Sequence, residues 1–144
     1  MKYAKLFADA IAPTRKHPND AGVDVYAYED KLIDANTIGI IRTGITFEIP
    51  NGYVLQAWPK SRSNYLIGGG IIDIGYQGEI FVKIANGTDI PLIFNKGDAI
   101  AQLVLVANMV SPLEEASLDD IHKESSSRGT TGGIVNNYIE GVIK

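Results

Sequence analysis

Runs of β-branched, aliphatic and aromatic residues recur at short intervals along the chain, and each is broken by Gly, Pro, Asn or Asp: GVDVYAY, IGIIRTGITFEIP, YVLQAWP, EIFVKIAN and IPLIFNKGDAIAQLVLVANMV. Short runs of this kind between turn formers predict an all-β domain of many strands. Pro50–Gly52 and Asn86–Asp89 are predicted reversals, since Asn and Gly accept the positive φ of tight turns. Hairpins there would make a meander. Lys96–Asp98 predicts a further turn, feeding an apolar strand in which Gln102 is the one polar side chain. One short helix is predicted in SPLEEASLDDIHKE, where Ser111, Pro112 and Glu114 have capping-box spacing. From Ser125 the sequence SSSRGTTGG has almost nothing apolar to offset roughly 1–2 kcal/mol of ordering entropy per residue. The pattern therefore divides the chain into a β domain over 1–124 and an arm over 125–144 that orders only on binding.

Composition narrows this picture. A chain of 144 residues with 45% hydrophobic content suits one domain with its own core. A net charge of −4 with dispersed Lys and Arg argues against broad polyanion binding, so an anionic ligand would need a few placed cations or a divalent metal. The chain has no cysteine and two distant histidines, His17 and His122, which excludes disulfides, thiolate chemistry and a zinc site of ordinary spacing. No apolar run approaches the roughly 20 residues of a membrane span, and the first residues lack a signal-peptide pattern. A cytoplasmic protein is expected. Asn86–Thr88 matches a glycosylation triplet that such a context leaves without meaning.

Candidate chemistry lies at four places. Asp20 and Asp24 flank Gly22, where acids are commonly turn formers. Lys60, Ser61 and Arg62 follow an apolar strand, and cations with hydroxyls suit phosphate as well as a solvated strand end. Gln102 fits either a buried amide satisfying backbone or a ligand contact. In GGGIIDIGYQGE, Asp73 stands between isoleucines, a costly place for a carboxylate without a partner. Gly68–Gly70 remove side chains from one patch, so a flat ligand could approach the backbone beside the face of Tyr76.

In order, these segments resemble the trimeric dUTPase family: acid-Gly-acid, Pro-Lys-Ser, Gly-Ile-Ile-Asp-x-Gly-Tyr-x-Gly, Lys-Gly-Asp-x-Ile-Ala-Gln, and a Ser-rich tail with Arg-Gly and Gly-Gly, across residues 20–133. The resemblance implies a β-barrel-like or jelly-roll subunit, a homotrimer with shared active sites, and Mg²⁺-assisted hydrolysis of dUTP to dUMP and pyrophosphate. It implies that Asp73 activates the water that attacks the α-phosphorus. Tyr76 would lie under the deoxyribose, and Gly70 and Ile72 on the Gly70–Asp73 strand would read uracil through their backbone. Lys60, Ser61, Arg62 and Gln102 would contact phosphate, Asp24 would support the metal through water, and Arg128 would meet the γ-phosphate.

The sequence departs from that pattern in places. Where the family's arm carries a stacking phenylalanine, this chain has Gly133 followed by Ile134, which could cap the base by contact. The stretch between the second and third motifs is short, and Gly75 stands where an acid is usual before the tyrosine. Family resemblance also implies an extended segment at 113–121 rather than a helix. A related dCTP deaminase would place a glutamate where this chain has Lys83, a residue unsuited to that role. A third reading is a non-catalytic nucleotide-sensing or protein-binding module on the same fold.

Overall fold

A computed structural model of the chain describes residues 1–127. Alternation is plainest in the strand Phe81–Ala85, where Val82 and Ile84 are buried while Phe81 and Lys83 face outward. Eleven strands form among the described residues: β1 (Lys2–Lys5), β2 (Gly22–Tyr26), β3 (Lys31–Ile33), β4 (Ile38–Arg42), β5 (Ile45–Glu48), β6 (Tyr53–Trp58), β7 (Leu66–Ile67), β8 (Gly70–Ile72), β9 (Phe81–Ala85), β10 (Leu92–Phe94) and β11 (Ala99–Ala107). All lie in one compact unit, Met1–Met109. They pair antiparallel into a four-stranded sheet β2-β11-β6-β8, a three-stranded sheet β4-β9-β7, and the two-stranded sheets β1-β5 and β3-β10.

The sheets share one core. Val25, Leu55 and Leu103 from the largest sheet pack with Ile41 and Ile84 from the second and Phe47 and Phe94 from the small ones. The fold is all-β, as the strand pattern predicts, and jelly-roll-like, as the family resemblance implies.

The predicted turns at Pro50–Gly52 and Lys96–Asp98 form, but the one at Asn86–Asp89 and the meander do not. Tyr53 N–H donates to the Pro50 carbonyl at 3.3 Å around Gly52 (φ +80°), and Asp98 N–H donates to Asn95 at 3.0 Å around Gly97 (φ +96°). Yet β5 pairs with β1 while β6 pairs with β11 and β8, and β9 pairs with β4 and β7 while β10 pairs with β3. A turn sequence fixes a reversal locally and says nothing of the sheet its next strand joins.

After β9 neither Asn86 nor Gly87 takes the positive φ expected of a tight turn, and the segment is held instead by the Asn86 side chain. It is buried, and its amide nitrogen donates to the carbonyls of Ile33, Asp34 and Ile90 at 3.1, 3.0 and 2.8 Å. Its oxygen accepts from the Thr88 N–H and hydroxyl at 3.0 and 2.7 Å. The triplet that resembles a glycosylation acceptor is an internal tie.

The residues described from Val110 onward form no helix, contrary to the capping-box expectation. Leu113 and Leu118 are almost fully exposed, and a short helix without a buried face lacks the packing that makes such helices stable. Polar side chains there close a turn instead, with Asp120 N–H on the Ser117 carbonyl at 3.0 Å and Ser117 Oγ on the Asp120 carboxylate at 2.7 Å.

Candidate functional site

The chain passes from one large sheet to the other through Gly68 and Gly69. Before them β7 pairs with β9, and Gly68 N–H still donates to the Lys83 carbonyl at 2.9 Å; after them β8 pairs with β6 alone. One edge of Gly70–Ile72 is therefore left without a strand partner among the described residues, and β9 runs past it on the far side. Between them lies a slot of about 400 Å³, lined by Gly68–Gly70, Ile72, Asp73, Tyr76, Glu79 and Lys83 among others. The missing side chains matter, since a Cβ added at Gly69 or Gly70 would meet nothing within 4 Å. Exposed backbone at the wall of a slot offers fixed donors and acceptors to a planar ligand.

At one end the slot is closed by a turn, where Tyr76 N–H donates to the Asp73 carbonyl at 3.2 Å and Gly75 supplies a φ of +85°. Asp73 is exposed at this end. Its carboxylate has no hydrogen-bond or ion-pair partner among the described residues. The desolvation cost anticipated for an acid among isoleucines does not arise, because only Ile72 of its neighbours points inward. What remains is an exposed carboxylate, unpaired among the described residues, at the mouth of an apolar slot.

Tyr76 is fixed more firmly than its sequence context suggests. Its hydroxyl donates to the Glu79 carbonyl at 3.0 Å, and its ring lies over Gly78, where an added Cβ would come within 2.4 Å of the hydroxyl oxygen. Glu79 is anchored in turn. Its carboxylate accepts from Arg42 Nε at 3.1 and 3.3 Å, from Arg42 Nη2 at 2.8 Å and from the Gly44 N–H at 2.8 Å. The carboxylate of Glu79, bonded to Arg42, holds that guanidinium above its ordinary pKa. Arg42 also stacks on Phe7, 4.9 Å from the ring centre. Neither Arg42 nor Glu79 emerged from the sequence, although the final Glu of GYQGE was visible there. Only their pairing across 37 positions gives them a role.

Asp24, Lys60 and Gln102 form a second group. Gln102 sits opposite Asp24 on β2 and Trp58 on β6, so the three share a face of the four-stranded sheet. Lys60 Nζ reaches Asp24 Oδ2 at 2.5 Å, and Gln102 Nε2 donates to the Pro59 carbonyl at 3.0 Å. Gly22 lets the amide lie down, since a Cβ there would be 2.7 Å from Gln102 Oε1. Ser61 and Arg62 are exposed in the turn closed by Ser63 N–H on the Lys60 carbonyl at 3.0 Å. Lys60 and Arg62 line a separate cavity of about 590 Å³ that shares no residue with the slot. Asp20 is a turn former, its carboxylate accepting from His17 N–H at 2.9 Å. One chain thus brings Gly70, Ile72, Asp73 and Tyr76 together, and separately Asp24, Lys60, Ser61, Arg62 and Gln102. Arg128, Gly133 and Ile134 lie outside the described residues.

Comparison with known proteins identifies the family of the chain. A model of the dUTPase family matches residues 8–132. The deoxyuridine 5'-triphosphate nucleotidohydrolases of Mycobacterium marinum and Mycobacterium leprae are 35% and 36% identical over 128 residues, each match covering 83% of both chains. Among solved structures, the dUTPase of Staphylococcus bacteriophage 80alpha with dUPNHPP superposes with a TM-score of 0.81 at 25% identity, covering 91% of this chain and 94% of that one. The D95N mutant dUTPase of Staphylococcus aureus phage phi11, described with a structural Mg(II) ion, has a TM-score of 0.75 at 25% identity and covers 82% and 97% of the two chains. With a family match over most of its length and relatives 35% and 36% identical over 83% of it, the chain belongs to the dUTPase family.

Proposed function

We propose that this protein hydrolyses dUTP to dUMP and pyrophosphate through a water activated by Asp73. The observation that carries the reading is the unpaired Asp73 carboxylate at the mouth of the glycine-walled slot, beside Tyr76. A uracil edge alternates acceptor, donor and acceptor, and the unpaired edge of Gly70–Ile72 supplies backbone groups of the complementary kinds. With the base in the slot, the sugar would lie on Tyr76, and the ring held by the Glu79 carbonyl would exclude a 2′-hydroxyl. The α-phosphate then stands at Asp73. Asp73 accepts a proton from water as the new O–P bond forms and the α,β-bridging P–O bond breaks, with pyrophosphate leaving.

Lys60, Arg62, the Ser61 hydroxyl and the Gln102 amide supply the cations and donors a triphosphate needs. No cluster of three or more metal-ligating side chains forms among the described residues. That donor set fits Mg²⁺, which is commonly held through phosphate and water, and Asp24 has the acceptor to bond a metal-bound water. When bound, the ion neutralises phosphate charge. Arg128 is assigned to the γ-phosphate and Ile134 to the exposed face of the base, within an arm beginning near residue 125.

Because the slot and the Lys60 group do not share a cavity, the reading includes assembly. A homotrimer in which the slot of one copy meets the Asp24–Lys60–Gln102 group of another would complete each site. The outward Ile38, Ile40, Leu66 and Phe81 of the β4-β9-β7 sheet give such an assembly apolar surface to bury. The test is a panel of dUTP, dCTP, dTTP and UTP with Mg²⁺, scored separately for pyrophosphate and ammonia. Pyrophosphate from dUTP in strong preference to the others is expected. Ammonia from dCTP, or dUTP binding without turnover, would overturn the reading.

A further inference from the structure

We propose that Lys83 is a specificity residue that reads the exocyclic oxygen at position 4 of the base and so selects uracil over cytosine; this rests on the reading that the base occupies the slot. Lys83 lies at the opposite end of the slot from Asp73. The turn 73–79 closes one end, and the hydrogen bond from Gly68 N–H to the Lys83 carbonyl, 2.9 Å, closes the other. The Lys83 stem runs beside Gly68, whose added Cβ would lie 3.5 Å from Lys83 Cδ, so the side chain follows the slot wall rather than the core.

Charge in the slot is distributed unevenly. Glu79 is matched by Arg42, Asp73 is free at the phosphate end, and Lys83 is the cationic side chain at the base end, with no ion-pair partner among the described residues. The five residue steps from Gly68 to Asp73 span at most roughly 16 Å. That accommodates a nucleoside lying lengthwise with its phosphate at Asp73 and the far edge of its base within reach of a lysine. An ammonium has donors and no acceptor. It can bond the 4-oxo group of uracil and cannot bond the 4-amino group of cytosine, which is itself a donor. A donor facing a donor in a narrow slot leaves both unpaired, so one residue both attracts uracil and repels cytosine.

Contact with a remote part of the substrate is made equally in the ground and transition states, so its loss falls on KM rather than kcat. The test measures dissociation constants of dUDP and dCDP, which need no turnover, together with kcat and KM for dUTP. Wild type is compared with Lys83→Met, Lys83→Arg and Lys83→Glu, each checked for an unchanged melting temperature. Lys83→Met is expected to lower the dUDP:dCDP affinity ratio by about 10-fold or more and to raise KM for dUTP. Lys83→Arg should keep the preference, and Lys83→Glu should shift it further toward cytosine. A ratio within twofold of wild type in Lys83→Met, or a wild type that binds both diphosphates equally, overturns the inference. Loss of catalysis as the function would show separately, as selective dUDP binding without pyrophosphate release.

Discussion

Replacing Gly78 with alanine separates the positioning of Tyr76 from the stability of the fold. Gly78 has an ordinary negative-φ backbone, so alanine adds no dihedral strain; what it adds is a Cβ 2.4 Å from the Tyr76 hydroxyl oxygen and 2.6 Å from its ring carbon. Carbon contacts settle at about 3.5–4.0 Å, so the ring must retreat by roughly 1 Å. The atoms in the way end a flexible side chain that is 45% exposed, so the phenol swings aside rather than the backbone. The cost to the fold is the hydrogen bond from Tyr76 to the Glu79 carbonyl, 3.0 Å long, worth about 0.5–1.5 kcal/mol or a fall of a few degrees in Tm. The cost to catalysis is larger, because a displacement of about 1 Å in a substrate-positioning group can lower the rate by about 100-fold. Thermal melts and kcat/KM for dUTP and UTP measure both. The expected pattern is a small loss of stability, a fall of one to two orders of magnitude for dUTP, roughly, and a weaker preference for the deoxy sugar. Unchanged kinetics, or a fall in Tm above about 10 °C, would refute the placement of Tyr76.

Two further predictions concern the scaffold. Asn86→Ala removes five hydrogen bonds at a buried site and should cost on the order of 3–5 kcal/mol in denaturant unfolding, whereas a loss below about 1 kcal/mol would mean water replaces the amide. Hydrogen bonds from Lys96 and Tyr28 hold the Asp9 carboxyl below its ordinary range, so its contribution is present above about pH 4 and is lost as pH falls through the lowered value. Asp9→Asn should accordingly be less stable than wild type at pH 7 and indistinguishable from it near pH 2; a gap of constant size at both would contradict the assignment.

Fold class was legible because strand periodicity is local. FVKIA alternates by itself, and the structure buries Val82 and Ile84 as that alternation requires. The strand β1, KYAK, carried no such signal, since all of it is exposed and only its pairing with β5 makes it a strand. Sheet membership was illegible for a related reason: Gly52 and Gly97 reverse the chain, but long-range pairing decides where it goes next. The helix expected after Ser111 rested on capping residues alone, and capping cannot hold a helix whose leucines bury nothing. At the site, Asp73 and Tyr76 could be singled out from the sequence because glycines frame them. Arg42 and Glu79 could not, because two ordinary charges 37 residues apart become a positioning pair only in space.

The central claim is that the free carboxylate of Asp73 activates the attacking water, and Asp73→Asn tests it with almost no change in shape. Pyrophosphate release from saturating dUTP with Mg²⁺ should fall by about 100-fold or more, while dUDP affinity stays within a few-fold of wild type. Turnover within a few-fold of wild type would contradict the account.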